Sequence, residues 1–133
     1  MNRQDHIRYW LDSAAHDWDT TTSLFISEKY DWCLFIGHLV LEKILKALFV
    51  QNSADLLPPK THNLVKLAEN AKIPLTDKQR FLLDEVNDFN IEIRYPQFRD
   101  ELYKKCTREF SQHYFKQIED LAEWLKSRLT YLP

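Results

Sequence analysis

An all-α fold is predicted for this 133-residue chain by three features of its sequence. Apolar residues recur at three-, four- and seven-residue steps along the long segments, which is the period of an amphipathic helix. No segment sustains the period-two alternation of a half-buried strand. Glycine occurs once, at Gly37, where average usage would give about nine, and this disfavours a fold of tight hairpins that need positive φ. With 44% hydrophobic and 14% aromatic residues, the chain has the composition of one globular domain, taken as residues 1–133. The expected architecture is a bundle of about five helices, four long and one short.

The first helix is expected from about Asp5 to Ser27, with Ile7, Leu11, Ala14, Trp18 and Phe25 on one stripe and Arg8, Asp12 and Asp19 off it. The second runs from Asp31, read as its N-cap, to Gln51 and is apolar around most of its circumference, so it should be central. Gly37 sits in its middle, where glycine costs about 1 kcal/mol relative to alanine; close approach of a neighbouring helix would account for it. His38, Glu42 and Lys46 form this helix's one polar face at four-residue spacing, with Glu42 preceding Lys46 in the favourable order for an ion pair.

A linker with Pro58-Pro59 leads to a short helix, N-capped by Thr61, that buries Leu64, Leu67, Ala68 and Ala71. Thr76-Asp77-Lys78-Gln79 reads as a capping box opening a fourth helix with the stripe Leu82, Val86, Phe89 and Ile93. Pro96 is read as its stop. The last helix is expected from about Thr107 to Leu129, with Phe110, Tyr114, Ile118, Leu121, Leu125 and Leu129 inward.

Several function classes are excluded or disfavoured. A single glycine leaves no phosphate-cradling Walker or GxGxxG loop. The net charge of −2 does not indicate a globally basic nucleic-acid binder. Cys33 and Cys106 are far apart with no CxxC, which fits a reducing cytoplasm rather than a disulfide scaffold. Cys33 falls in the apolar helix, and Cys106, beside Lys104, Lys105 and Arg108, is the closer case for a reactive thiol. MNRQDHIRYW lacks a signal-peptide h-region, and the longest apolar stretch is interrupted by His38, Glu42, Lys43 and Lys46, so no membrane span and a cytoplasmic location are expected. No metal site is expected, because none of the five histidines pairs with another at i+4. No cofactor is indicated.

One segment stands apart. Arg94 to Arg108 holds Arg94, Arg99, Lys104, Lys105 and Arg108 against Asp100 and Glu101 in an otherwise acidic chain. Read as a loop, it places Lys104 and Lys105 just before a helix N-terminus, where the dipole disfavours cations. A bound phosphate or acidic partner would relieve that conflict; a solvated charged loop is the plainer alternative. Arg94 offers a planar fork suited to phosphate, or could instead pair with Glu42 inside the bundle.

Three pieces in order, LEKILKAL from Leu41 to Leu48 after Tyr30-Asp31, then Thr61-His62-Asn63-Leu64, then Arg94-Tyr95-Pro96, resemble the HEPN family of small helical proteins. The resemblance spans almost the whole chain and implies an up-and-down helical bundle. Many single-domain bacterial members are encoded beside a minimal nucleotidyltransferase, in two-component enzymes or toxin–antitoxin systems. Other branches are metal-independent RNases, with an arginine and a histidine separated by four to six residues in a cleft at a homodimer interface. Here the positions that would follow Arg94 at that spacing are Arg99, Asp100 and Glu101, not histidine. Arg108 and His113 have the spacing, but so short a pattern arises by chance.

The resemblance therefore implies a nucleotide- or nucleic-acid-phosphate-binding module, a homodimer and partner of a minimal nucleotidyltransferase, with Arg94, Tyr95, Lys46, Glu42 and His62 as ligand-binding residues. Arg94 and Lys46 would contact phosphate, Glu42 would orient one of them, and Tyr95 would stack on a base. The His38–Glu42–Lys46 face is expected to point toward Arg94. One alternative is an RNase toxin using Arg108 and His113; on its own the chain is not otherwise read as an enzyme. The other is a structural adaptor whose polar residues only hold the core.

Overall fold

The computed structural model describes residues 1–130 and comprises six helices: α1 (Arg3–Ile26), α2 (Tyr30–Asn52), α3 (Leu64–Asn70), α4 (Asp77–Arg94), α5 (Pro96–Lys105) and α6 (Arg108–Lys126). No strand occurs among the described residues. The helix α2 is the hub: α1, α3, α4 and α6 all pack on it, and it buries residues on nearly every side, from Cys33 and Leu34 to Phe49 and Val50. That follows from a helix that is apolar almost all round.

Side-chain contacts give the directions. Lys43 meets Asp17, and the Cys33 thiol reaches the Thr21 carbonyl, so α1 runs antiparallel to α2. Gly37 lies against Ile118, while Gln51 donates to the Arg128 carbonyl, so α6 runs parallel to α2. Phe89 packs on Phe110 and Tyr114, and Glu85 accepts from the Tyr114 hydroxyl, so α4 is antiparallel to α6 and hence to α2.

The close approach expected at Gly37 is present. A Cβ there would lie 3.1 Å from Ile118 Cδ1 and 3.9 Å from Thr21 Cγ2. Absence of a side chain is what lets α6 sit down on α2.

Three end-of-helix expectations need correction. Asp31 is not the N-cap of α2: the helix begins at Tyr30, Lys29 occupies the cap position without a side-chain bond, and Asp31 accepts from the backbone of Trp32. Asn63, not Thr61, caps α3, accepting from Lys66 N; Thr61 instead accepts from Asn63 N within the linker. Pro96 does not lead into a loop. Proline at the first position of a helix loses no intrahelical bond and has the right φ, and here it opens α5. The bundle thus has six helices rather than five. The expected capping box at Thr76 and Gln79 is present.

The helix α5 also removes the charge conflict. Lys104 and Lys105 form the last turn of α5, where the dipole favours cations. Lys105 pairs with Glu92 at 3.3 Å, and Arg99 donates to the Ile93 carbonyl at 3.0 Å, satisfying a carbonyl at the end of α4. Leu102, fully buried, anchors this otherwise charged helix.

Candidate functional site

The polar face of α2 meets two other parts of the chain. Glu42, 4% exposed, accepts from Lys46 Nζ at 3.1 Å through Oε2 and from His62 Nδ1 at 2.8 Å through Oε1. Its carboxylate is therefore held on both oxygens, as burial of an anion requires. Lys46 Nζ also stands 5.1 Å from the centre of the Trp10 ring on α1, a cation–π contact that shields the other side of the ammonium.

His38, one turn earlier, is fully buried. Its Nε2–H donates to the His62 carbonyl at 2.8 Å, and Asn90 Nδ2 of α4 donates to its Nδ1 at 3.3 Å. A carbonyl can only accept, so this pairing fixes the Nε2–H tautomer and leaves Nδ1 as acceptor. Burial pushes the imidazole down to about 4, against the opposing pull of the Glu42 carboxylate 3.9 Å from Nδ1. His38 is neutral at pH 7 and serves as a strut between the linker and α4.

His62 holds the opposite position. Its backbone is tied to His38 and its Nδ1 to Glu42, yet its side chain is 52% exposed. A buried carboxylate thus orients an imidazole whose remaining nitrogen faces outward. Asn87, one turn before Asn90, completes the frame by accepting from Leu64 N at 2.9 Å and donating to Asn63 Oδ1 at 3.1 Å.

The structure brings Glu42, Lys46 and His62 together. It does not bring Arg94 to them. Arg94 continues the α4 stripe of Asn87 and Asn90, but it lies one turn, about 6 Å of rise, past Asn90 toward the N-terminal end of α2. Its side chain is exposed and makes no ion pair or hydrogen bond among the described residues. The expectation that the α2 polar face points at Arg94 is corrected accordingly: His38 meets Asn90 of α4, Glu42 meets His62 of the linker, and Lys46 lies over Trp10 of α1. The internal pairing of Arg94 with Glu42 is likewise absent, because Lys46 and His62 already occupy both carboxylate oxygens. Tyr95, 51% exposed, follows Arg94 in extended backbone conformation.

Arg108 and His113 lie on α6, five residues and about 140° of helix rotation apart, both exposed. His113 contacts Gln117 at 3.4 Å. Arg108 borders a shallow cleft with Asp31, Tyr103 and Lys104. Neither cysteine is a poised nucleophile: burial pushes Cys33 up to about 12 and Cys106 up to about 11.

Asn87 and Asn90 were not singled out in the sequence. A signal existed for Asn90, a polar residue between Phe89 and Ile93 at a position that the helical period turns inward.

A family model for the HEPN domain matches residues 7–128. The chain belongs to the HEPN family. No match to a curated protein or to a solved structure accompanies it. The matched span takes in the α2 polar face, the His62 linker, Arg94-Tyr95 and all six helices in whole or large part. An all-α bundle is the architecture seen, and no helix among the described residues is long and apolar enough to cross a membrane.

Proposed function

We propose that this HEPN domain binds a nucleotide or nucleic-acid phosphate at the exposed end of α4, and that it does so as a partner of a minimal nucleotidyltransferase and as a homodimer. The observation that carries the binding reading is Arg94: an exposed guanidinium with no ion-pair or hydrogen-bond partner among the described residues, next to the exposed ring of Tyr95. Of the five cations in the 94–108 segment, Arg99 and Lys105 are spent inside the fold. Arg94 is left for an anion, in the planar, always-charged form that suits phosphate, and Tyr95 offers a stacking surface for a base. Asn90 braces α4 one turn before Arg94, and Glu42 orients His62 separately; Lys46, enclosed by Glu42 and Trp10, orients rather than contacts.

Calorimetric titration of ATP and GTP into the wild-type protein and Arg94→Ala tests the proposal. We expect binding that weakens at least about tenfold in the variant, the loss of one charge-assisted contact. Absence of heat with either protein at millimolar nucleotide would sink it.

A second reading, metal-independent RNA cleavage, is favoured by one specific observation. His62 has its Nδ1 engaged by a buried carboxylate and its other nitrogen free, the arrangement of an oriented general base. The His62 ring would take the place that the sequence reading gave to Arg108 and His113. Incubation of a short RNA with the protein in EDTA, with His62→Ala and His113→Ala alongside, separates the two. Cleavage lost in His62→Ala and kept in His113→Ala supports the second reading; no cleavage by the wild type removes it.

A further inference from the structure

A trough lies on a different part of the bundle, lined by α1, α2 and α6 and by no residue of α3, α4 or α5. The helices α1 and α6 both pack on α2 and are bridged to each other near one end, where Phe115 stacks on Trp18 at 5.0 Å and packs on Phe25 at 4.6 Å. Beyond that aromatic clamp they leave a depression of about 400 Å³. Its floor is Val40 and Ile44 of α2, and its walls carry small residues, Ala14, Ala15 and Ala122. Small residues on two helices create room for side chains supplied from outside.

The rim is acidic on both sides. Asp12 and Asp19 stand two turns apart along α1, and Glu119 and Glu123 one turn apart along α6. Lys126 is the one cation on the lining, paired with Glu123 at 2.8 Å, and Glu119 is 3.5 Å from Lys116. Asp12 and Asp19 have no cationic partner among the described residues. From Leu11 to Trp18 the α1 wall runs for about 10 Å, or two helical turns. An acidic rim repels phosphate, so nucleic acid is not what it receives.

We propose that this trough docks an amphipathic helix of a partner protein, with aliphatic side chains at i, i+3/i+4 and i+7 entering between Ala15 and Ala122, and lysine or arginine on both flanks of that stripe meeting the carboxylates of α1 and α6. The apolar trough supplies the anchor positions of a helix-in-groove contact. The two acidic rails supply the selection, since the flanking positions of a packed helix are where charge decides the partner. A docked helix would complete the ring of helices around α2.

The test uses two fluorescein-labelled peptides of about 18 residues, long enough to hold helix, identical except that one has lysine and the other glutamate on both flanks of a leucine stripe. Anisotropy is read against the wild type, Ala15→Trp and the double variant Asp12→Lys/Asp19→Lys. These positions are exposed, and circular dichroism melts confirm that each variant folds. The lysine peptide is expected to bind the wild type at least about tenfold more tightly than its glutamate twin. It should lose binding to Ala15→Trp, whose indole fills the trough, and the double variant, which inverts the α1 rail and leaves the α6 carboxylates, should narrow the preference at least about threefold. Equal affinity of the two peptides, no binding of either, or indifference to Ala15→Trp overturns the proposal. So does a concentration-dependent dimer that Ala15→Trp dissolves, which would assign the trough to a second copy. Binding of dodecylamine in the absence of peptide binding would also overturn it, assigning the trough to a small cationic amphiphile.

Discussion

Mild acid should weaken this fold through one histidine. His38 has no exposure and is held at about 4, whereas the same imidazole in the unfolded chain has its ordinary value of 6.5. Between those two values the unfolded chain takes up a proton that the folded chain refuses, so stability is complete above about 6.5 and is lost as pH falls toward 4. The gap between the two values, at about 1.4 kcal/mol per pH unit, sets the contribution of this group at no more than about 3 to 4 kcal/mol. The assay is urea denaturation at half-unit steps from pH 7.5 to 4.5, on the wild type and on His38→Gln. Glutamine keeps an amide N–H for the His62 carbonyl and cannot titrate. The wild type should show the steeper decline in midpoint between pH 6.5 and 4.5, and its His38 ring resonances should stay those of the neutral form through that range. Parallel curves for the two proteins would refute the reasoning, as would a His38 resonance that titrates near 6.5 in the folded state.

Other substitutions test the packing and the polar frame. Gly37→Ala should destabilise the wild type, because its Cβ meets Ile118 Cδ1, yet in an Ile118→Val background, where that atom is gone, the same change should stabilise by up to about 1 kcal/mol through helix propensity; a double-mutant cycle by urea melts reads the coupling. Glu42→Ala should cost about 3 kcal/mol, since it strands the enclosed Lys46 ammonium and frees His62, whereas Glu42→Gln should lose less; calorimetric or chemical melts compare them. Arg3→Ala should lower stability by about 1–2 kcal/mol, because the guanidinium donates to carbonyls at the end of α2, among them Ser53 O at 2.6 Å and Ala54 O at 3.3 Å. Hydrogen exchange at the last turn of α2 should rise in that variant and stay unchanged in α6.

Much of this bundle was legible because its helices are built from periodic apolar stripes, and a stripe such as Leu82, Val86, Phe89 and Ile93 encodes both the element and the face it buries. The failure was α5. It buries only Leu102, so it carries almost no periodic signal, and Pro96 can end one helix or begin the next with equal local logic. The charges then followed the wrong element: Lys104 and Lys105 looked misplaced before α6 because α5, whose C-terminus they complete, was unseen. In the site, the His38–Glu42–Lys46 row was visible from four-residue spacing alone. The contact of Glu42 with His62, twenty residues away across a proline-containing linker, has no local signature; the family resemblance named both residues but did not pair them. Arg94 was expected at Glu42; which way α4 runs along α2 decides that question, and direction is a tertiary property that one helix's pattern does not carry.

The grip of Arg3 on the end of α2 gives the chain an order of assembly. The first residue of α1 closes carbonyls at the end of α2, so residues 1–54 form a hairpin that satisfies part of its own far end, where Gln51 and Asn52 later add bonds to Arg128 and Ala71. The polar row on α2 has no such autonomy: Glu42 waits for His62, and His38 waits for both His62 and Asn90. A chain emerging from the ribosome would therefore hold a clamped two-helix frame, with α2 still bare where α3, α4 and α6 later pack, while its inner charges were still wet, and the later arrival of the linker and α4 would be the step that dries them. Interrupting synthesis between residues 54 and 90 should leave a nascent intermediate, helical but incomplete, with the His38–Glu42–Lys46 row still open to solvent.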